Sequence, residues 1–364
     1  MASSAPESFL TTTELVAEAR RRLPAAAWDY LCGGAETETT VARNRRALDA
    51  IAFRPRVLRH VEAPDASAEL FGAWRRLPLL LAPVGGMTEF HPDGALPVAQ
   101  AAAEFGCPML LSSVTAPSLE SVAEAAGKQF LYQLYVHGDE RWVAEQALRA
   151  QESGCAAFCI TVDVPHYGRR ERSLIRRYSL PGRPFDRLRP GEEHGMRLDW
   201  RFVDRVKGLL TVPLVLKGIT TAEDAALAVE AGVDWIYVSN HGGRQLDHGR
   251  GAMDILPEVK AVVRGKASIA IDGGFMRGSD ILKALAMGAD VVGIGRLQAL
   301  ALAAGGRAAV VRMLELIETE MHVAMKLLGI GRLAELDGNC LQPAASLGRA
   351  DVLGAFPLLD PRSE

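Results

Sequence analysis

Eight short apolar runs between residues 79 and 294 constrain the fold of this chain more than any other feature. Most of them precede an alanine-rich segment in which apolar residues recur at helical spacing. Near-continuous apolar strands that alternate with helices are typical of a parallel sheet covered on both faces. The sequence therefore predicts an α/β protein, a (β/α)8 TIM barrel. The predicted strands are residues 79–82, 109–112, 130–134, 157–162, 213–216, 235–239, 268–271 and 291–294.

The beginning of the chain lacks this repeat and is predicted to be helical. Thr11 and Glu14 have the spacing of a capping box, and apolar residues follow at helical intervals. We divide the chain into an N-terminal helical extension, residues 1–70, that packs on the barrel, and the barrel with C-terminal helices, residues 71–364. Residues 170–200 are rich in Arg, Pro and Gly with little periodicity, which predicts a loop over the barrel mouth.

Charge and composition exclude several classes of partner. The net charge is −3 and the basic residues form no long run, so we expect no nucleic-acid partner. No apolar stretch approaches the ~20 residues that span a bilayer, and the N-terminus lacks a signal-peptide core, so we expect a cytoplasmic protein without a membrane partner. The five cysteines have no zinc spacing, and we predict no metal site.

One glycine-rich segment carries the most definite chemistry. The sixth apolar run continues into Ser239-Asn240-His241-Gly242-Gly243-Arg244-Gln245-Leu246-Asp247. An imidazole accepts a proton near neutral pH, and a guanidinium binds a carboxylate through two parallel hydrogen bonds. The two glycines keep the turn free of side-chain bulk, so both groups can face one small ligand. The segment predicts proton abstraction from a substrate that carries a carboxylate.

The last two strands end in glycine-rich turns that suggest a phosphate site. Asp272-Gly273-Gly274 follows the seventh strand, and Gly293-Ile294-Gly295-Arg296 ends the eighth. Backbone N–H groups at such turns bind phosphate, and barrels often use these two loops for that purpose. Arg277 or Arg296 could add charge-assisted hydrogen bonds. The alternative is that these glycines only make tight turns.

Two further charged residues follow buried strands. Lys217 ends the fifth strand, where an ammonium requires a negative partner. It could be a Schiff-base nucleophile, a fixed cation beside an anionic ligand, or half of a structural ion pair. Asp163 follows the fourth strand and could orient the imidazole of His241, or serve only as a turn or N-cap residue.

These segments together resemble one known family. From about Tyr30 to residue 335, the chain is similar to the FMN-dependent α-hydroxy acid oxidase/dehydrogenase family. The segments that carry the similarity are residues 239–247, Thr161-Val162-Asp163, Gln133-Leu134-Tyr135, Leu216-Lys217-Gly218, Asp272-Gly273-Gly274 and Gly295-Arg296. The resemblance implies an FMN enzyme that oxidises an L-2-hydroxy acid to the 2-keto acid and passes the electrons to O2 or another acceptor.

The resemblance also assigns roles at matching positions. It makes His241 the base and Asp163 the group that stabilises its protonated form. Arg170 and Arg244 would hold the substrate carboxylate, and Lys217 would lie near N1 of the flavin. Tyr30 and Tyr135 would hydrogen-bond the substrate carboxylate and hydroxyl, with Tyr135 also counted among the catalytic groups. The remaining residues expected to bind the flavin are Pro83, Val84, Gly85, Ser112, Gln133, Thr161, Ser239, Asp272, Gly274, Arg277, Gly295 and Arg296.

Three positions depart from the family pattern. Met276 stands where the family usually has an arginine on the FMN phosphate, so Arg277 is expected to substitute or binding is expected to be weaker. Val114 replaces a bulky aromatic residue, which suggests a pocket for a larger, aryl side chain. Gly85 resembles the dehydrogenase members, where oxidases tend to have alanine.

The resemblance suggests a homotetramer or larger homo-oligomer, with the small-molecule hydroxy acid as the other partner. Two alternative functions stay open at this point. One is an FMN-dependent isomerase on a related barrel, and the other is a non-catalytic flavin-binding protein.

Overall fold

A computed structural model describes residues 8–178 and 198–359, so part of the predicted loop at 170–200 lies outside the described residues. The described part of the extension contains helices and short strands, and its first helix begins with the expected capping box. The Thr11 side chain accepts the backbone N–H of Glu14, whose carboxylate accepts the N–H of Thr11. The elements up to residue 75 are α1 (Thr12–Arg22), α2 (Ala25–Cys32), α3 (Thr39–Asp49), β1 (Ile51–Phe53), β2 (Ala68–Leu70) and β3 (Ala73–Arg75).

Eight parallel strands form a closed barrel in sequence order, and the last strand pairs with the first. The predicted TIM barrel is therefore confirmed. The strands are β4 (Leu79–Leu81), β5 (Met109–Ser112), β6 (Phe130–Leu134), β7 (Phe158–Thr161), β8 (Leu214–Ile219), β9 (Trp235–Val238), β10 (Ser268–Ile271) and β11 (Val291–Ile294).

Helices cover the outside of the barrel, except that the short α7 (Glu171–Ile175) lies against α2 of the extension, and a short strand follows them. They are α4 (Leu96–Phe105), α5 (Leu119–Ala126), α6 (Glu140–Glu152), α7 (Glu171–Ile175), α8 (Trp200–Leu209), α9 (Ala222–Glu230), α10 (Ala252–Val263), α11 (Gly278–Ala286), α12 (Arg296–Leu328) and β12 (Leu341–Pro343). The glycine pair at 305–306 interrupts the helical geometry of α12. Helix α1 packs along α12, and β12 pairs antiparallel with β1.

Strand periodicity places the polar residues at the barrel mouth. Successive side chains on a strand point to opposite faces, so every second residue faces the interior. The interior is an apolar cluster that includes Leu131 of β6 and Val215 of β8. Gln133 and Lys217 come two residues later on the same strands and therefore face the same interior. The same alternation brings six buried polar residues to the carboxyl ends of the strands. They are Ser112, Gln133, Thr161, Lys217, Ser239 and Asp272.

The opposite end of the barrel is closed by the β2–β3 hairpin. Phe71, at the tip of the hairpin, stacks on Trp235 with the ring centroids 4.2 Å apart. The hairpin spans residues 68–75, so the predicted boundary at residue 70 falls within it. Buried residues of the extension and of the helices around the barrel form one continuous apolar core.

Across the two described ranges, no helix combines the length and the apolar composition needed to cross a membrane. The same residues contain no cluster of three or more His, Cys, Asp or Glu side chains that could hold a metal ion.

Candidate active site

The turn after β9 holds three consecutive residues in the left-handed region. His241, Gly242 and Gly243 have φ angles of 58°, 62° and 76°. Glycine adopts this conformation readily, but a histidine does so only where the surroundings fix it. The Ser239 hydroxyl accepts the backbone N–H of His241 at 3.1 Å, and the Asn240 side chain accepts that of Gly243 at 3.2 Å. The turn therefore projects the imidazole over the barrel mouth.

The imidazole lies between a carboxylate and a phenol. His241 Nδ1 is 3.2 Å from Asp163 Oδ1, and His241 Nε2 is 3.2 Å from the Tyr135 hydroxyl. Burial lowers the pKa of His241, and nearby Lys217 and Arg170 add to this effect against the opposing influence of Asp163. The neutral ring then donates through Nδ1 to Asp163 and leaves the Nε2 lone pair available as a base.

Two guanidinium groups approach the same aromatic ring beside this imidazole. Arg244 lies 4.8 Å and Arg170 5.9 Å from the centroid of Tyr30. Arg244 donates to the backbone carbonyls of Tyr30 at 2.6 Å and Gly33 at 2.9 Å. Burial and the charge of Arg170 lower the pKa of Arg244 to about 9. Neither arginine forms an ion pair within the described ranges, so the pair forms a cationic site that favours an anionic ligand.

Lys217 is buried within β8 and bonded to residues that directly follow β9 and β10. Its Nζ donates to Ser239 Oγ at 2.6 Å and pairs with Asp272 Oδ2 at 2.9 Å. Burial disfavours the ammonium, but Asp272 and Asp163 outweigh this effect and raise the pKa of Lys217. A Schiff-base nucleophile requires a neutral amine. The geometry therefore favours the fixed cation over the nucleophile.

Buried polar atoms without partners lie next to this cation. The side-chain N and O of Gln133 and the Oγ1 of Thr161 have no hydrogen-bond partner within the described part of the chain. Such atoms are uncommon, because each one costs about 1–3 kcal/mol when buried. Together with Lys217 they offer donors and acceptors on three adjacent strands. This set fits the polar edge of a flavin ring.

The turn residues expected at the flavin lie at the ends of β4 and β5, near each other. A Cβ placed on Gly85 would lie 3.2 Å from Cβ of Val114, so an alanine there would press on that side chain. Ser112 is buried, and its hydroxyl accepts the N–H of Val114 at 3.2 Å. Pro83 and Val84 complete the turn after β4.

At the predicted phosphate end, the backbone packs closely against the extension. Gly274 has a φ angle of 85°, and a Cβ there would lie 3.1 Å from Cβ of Asn44. Gly295 precedes α12, whose first residue, Arg296, donates to the carbonyls of Leu31, Gly33 and Gly242 at 2.8–3.0 Å. Arg296 therefore connects the extension to the histidine turn.

Arg277 points away from this end of the site. It donates to Thr12 Oγ1 at 3.0 Å and pairs with Glu320 Oε1 at 2.9 Å. Met276 is buried, and its backbone N–H donates to Asp280 at 3.1 Å. The structure therefore gives the guanidinium of Arg277 other partners, and its role at the phosphate stays a prediction.

An amide pair that the sequence did not reveal supports the histidine turn. Asn44 of α3 and Asn240 donate to each other at 3.0 and 2.8 Å, and the Ala252 N–H also donates to Asn44. The sequence feature that could have revealed this pair is the position of Asn44 between Val41 and Leu48, on the buried face of α3. A polar residue in an otherwise apolar stripe requires a partner.

Comparison with known proteins agrees with this geometry. The model of the FMN-dependent dehydrogenase family matches residues 19–343. The chain is 40% identical to an L-lactate oxidase of Nostoc sp., over 89% of the chain and 95% of the relative. It is 38% identical to a 4-hydroxymandelate oxidase of Amycolatopsis orientalis, over 88% and 95%. A crystal structure of mandelate oxidase superposes with a TM-score of 0.87 at 36% identity, over 93% of the chain and all of that structure.

Proposed function

The chain belongs to the FMN-dependent dehydrogenase family, and we propose that it oxidises an L-2-hydroxy acid with an aryl side chain. It is an FMN-dependent 2-hydroxy acid oxidoreductase, and the product is the 2-keto acid. The observation that supports the assignment most strongly is the imidazole of His241 bonded to Asp163, at a site with two arginines that form no ion pair with any described residue.

FMN supplies the two-electron acceptor that this oxidation requires. Gln133 and Thr161 have uncommitted polar atoms where the ring would bind, and Lys217 supplies the nearby positive charge. Ser112, Ser239 and the turn at residues 83–85 would complete the ring and ribityl site. Asp272, Gly274, Gly295 and Arg296 would hold the ribityl and phosphate end.

The residues around the imidazole would hold the substrate and take its proton. Arg244 and Arg170 bind the carboxylate, and the Tyr30 ring beside them supports both guanidinium groups. His241 Nε2 takes a proton from the substrate, and the adjacent Asp163 carboxylate stabilises the resulting imidazolium. Tyr135 has a pKa raised mainly by burial, so it stays protonated and can donate to the substrate hydroxyl oxygen.

Small residues at the mouth support an aryl substrate. Val114 and Gly85 lie against each other on the β4 and β5 turns, and Val114 is smaller than the aromatic residue that glycolate oxidase-like members carry at its position. The names of 4-hydroxymandelate oxidase and mandelate oxidase describe aryl hydroxy acids. We expect mandelate-type acids to be better substrates than glycolate.

Anaerobic reduction of the bound flavin tests the assignment. Aryl and aliphatic L-2-hydroxy acids should both bleach the FMN-loaded enzyme, and mandelate-type acids should do so faster than glycolate. Replacing His241 with alanine should abolish bleaching and leave yellow FMN bound. Normal bleaching by His241→Ala would refute the assignment of the base, and a wild type that keeps its colour with every hydroxy acid would indicate a non-catalytic flavin protein.

The same sample can be used to identify the electron acceptor. The matched curated relatives named above are called oxidases, and we propose O2 as the acceptor. Readmitting air should restore the yellow colour and release hydrogen peroxide. Recovery only after a quinone or dye is added would instead support a dehydrogenase, as Gly85 suggests.

The assembly and location stay predictions. We expect a homotetramer, which light scattering of the purified protein would detect. Fractionation of cells that express the chain would test the cytoplasmic location.

A further inference from the structure

Tyr237 has a buried hydroxyl that the proposed mechanism does not use. It lies on β9, two residues before Ser239, and its side chain is fully buried inside the barrel. Within the described ranges the hydroxyl has no partner at full hydrogen-bond geometry, and the neighbouring acceptor that interacts with it is the Asp272 carboxylate. Buried hydroxyl groups are nearly always bonded, because an unbonded one destabilises the fold. A phenylalanine would fill the same space without this penalty, so the hydroxyl calls for a function.

A glycine on the next strand but one makes room for this hydroxyl. A Cβ placed on Gly293 of β11 would lie 1.8 Å from the Tyr237 hydroxyl oxygen and 3.0 Å from its Cζ. The same point is 3.3 Å from Cβ of Asp272. Tyr237 therefore fits only because position 293 has no side chain, and its hydroxyl lies next to the Asp272 side chain.

The ring of Tyr237 lies beneath the buried ion pair at the flavin site. Lys217 Nζ is 4.8 Å from the ring centroid, a distance at which the ring face attracts an ammonium. The Asp272 carboxylate is shared between this ammonium and the Ser239 hydroxyl, and each of its oxygens can accept a further hydrogen bond. Burial raises the pKa of Tyr237 well above 10, and the charge of Asp272 and a hydrogen-bond interaction with its carboxylate add to this shift, so the hydroxyl can act as a donor throughout the neutral range.

We propose that Tyr237 is a positioning residue for the Lys217–Asp272 pair, and that its hydroxyl donates to Asp272 when FMN is bound. This inference rests on the proposed placement of Lys217 at the flavin. When the ammonium also interacts with the flavin ring, it neutralises Asp272 less completely. The hydroxyl beside Asp272 then supplies the missing interaction at full strength, while the aromatic face holds the ammonium from below.

The matched variants are Tyr237→Phe, which keeps the ring, and Tyr132→Phe as a control. Tyr132 is a buried tyrosine on β6 that packs against the helices outside the barrel. Apo-protein titrated with FMN, with flavin fluorescence as the signal, should show about tenfold weaker binding for Tyr237→Phe, because a hydrogen bond to a charged group is lost. The reduction potential of the bound flavin should become more negative, since Asp272 is less neutralised.

The apo-protein separates this role from simple packing. Without FMN, Tyr237→Phe should lower the midpoint of thermal unfolding less than it does with FMN bound, because the hydroxyl reaches full hydrogen-bond geometry with Asp272 only when FMN is bound. Unchanged FMN affinity and potential would overturn the proposal, and so would an equal loss of stability with and without FMN. Tyr132→Phe should leave FMN affinity and potential unchanged.

Two further variants test the premises. Lys217→Met should weaken FMN binding and shift its potential; if it does neither, the placement of Lys217 at the flavin is wrong and the inference falls with it. If Lys217→Met acts and Tyr237→Phe does not, only the role of Tyr237 is refuted. Gly293→Ala should lower the unfolding midpoint, and adding Tyr237→Leu should restore it; absence of this rescue would contradict the packing of the hydroxyl against position 293.

Discussion

Replacing Asp163 with asparagine removes the charge beside His241 and keeps the size of the side chain. The two side chains are mostly buried, with 13% and 17% of their surfaces exposed, and their closest atoms are 3.2 Å apart. The asparagine amide can also donate to Nδ1, which would put the ring proton on Nε2 and remove the base. We therefore expect a slower reaction, with the substrate still bound by the arginines.

The distance sets the size of the effect. At an effective dielectric constant of about 20, the attraction between an imidazolium and a carboxylate 3.2 Å apart has an upper bound of about 5 kcal/mol. Asparagine keeps an oxygen that can accept from Nδ1, so we expect about 3 kcal/mol of this to be lost from the transition state. That loss corresponds to a rate of flavin reduction about 10²-fold lower.

The pH profile has a predicted sign. His241 must be neutral to accept a proton, so kcat/KM falls as the pH drops through its pKa. Burial lowers this pKa from 6.5, which places the acidic limb of the wild type below pH 6.5. Asp163 opposes that shift, so its removal should move the acidic limb to still lower pH.

Stopped-flow measurement of flavin reduction between pH 4.5 and 9 checks both expectations. The matched control is Glu145→Gln, which removes an exposed carboxylate on α6 that pairs with Arg141. It should change neither the rate nor the profile. A rate for Asp163→Asn within about threefold of the wild type, or an acidic limb that moves to higher pH, would refute the assigned role of Asp163.

Three further predictions concern the substrate and the cofactor. Arg244→Lys should raise KM about 10²-fold in steady-state kinetics, because an ammonium lacks the planar fork that binds a carboxylate. An unchanged KM would contradict the assigned role of Arg244. Met276→Arg should tighten binding of FMN but not of riboflavin; an equal change for both flavins would show that the new charge does not reach the phosphate. Val114→Trp should lower kcat/KM for mandelate at least about tenfold relative to glycolate, and equal losses for the two acids would contradict the assigned pocket.

The barrel could be predicted because its signal repeats. Each strand is a short apolar run with a helix after it, and eight repetitions restrict the topology to few alternatives. The β1–β12 pair and the β2–β3 hairpin could not be predicted in the same way. Each of these strands has three residues, too few to show a period of two, and the pairing of β1 with β12 joins segments about 290 residues apart.

The candidate site, too, could be predicted only in part. The positions of Lys217 and Asp272 follow from the parity of their strands, so their proximity could be predicted once the barrel was assigned. The direction in which a long side chain points could not be predicted from the sequence. Arg277 is adjacent to the expected phosphate loop, yet its guanidinium pairs with Glu320 of α12. Which of two anions a flexible arginine meets depends on a helix that packs some 40 residues further along the chain.

The histidine turn explains why the extension and the barrel act together. A histidine in the left-handed region costs about 1–3 kcal/mol and persists only where its surroundings fix it. Here the Ala35 N–H donates to the carbonyl of Gly243 at 2.8 Å, and Arg296 donates to that of Gly242 at 2.8 Å. Ala35 belongs to the extension, and Arg296 also binds carbonyls there. The strain at His241 is therefore balanced by contacts across more than 200 residues, so substitutions far from the imidazole in sequence should still alter the placement of the base.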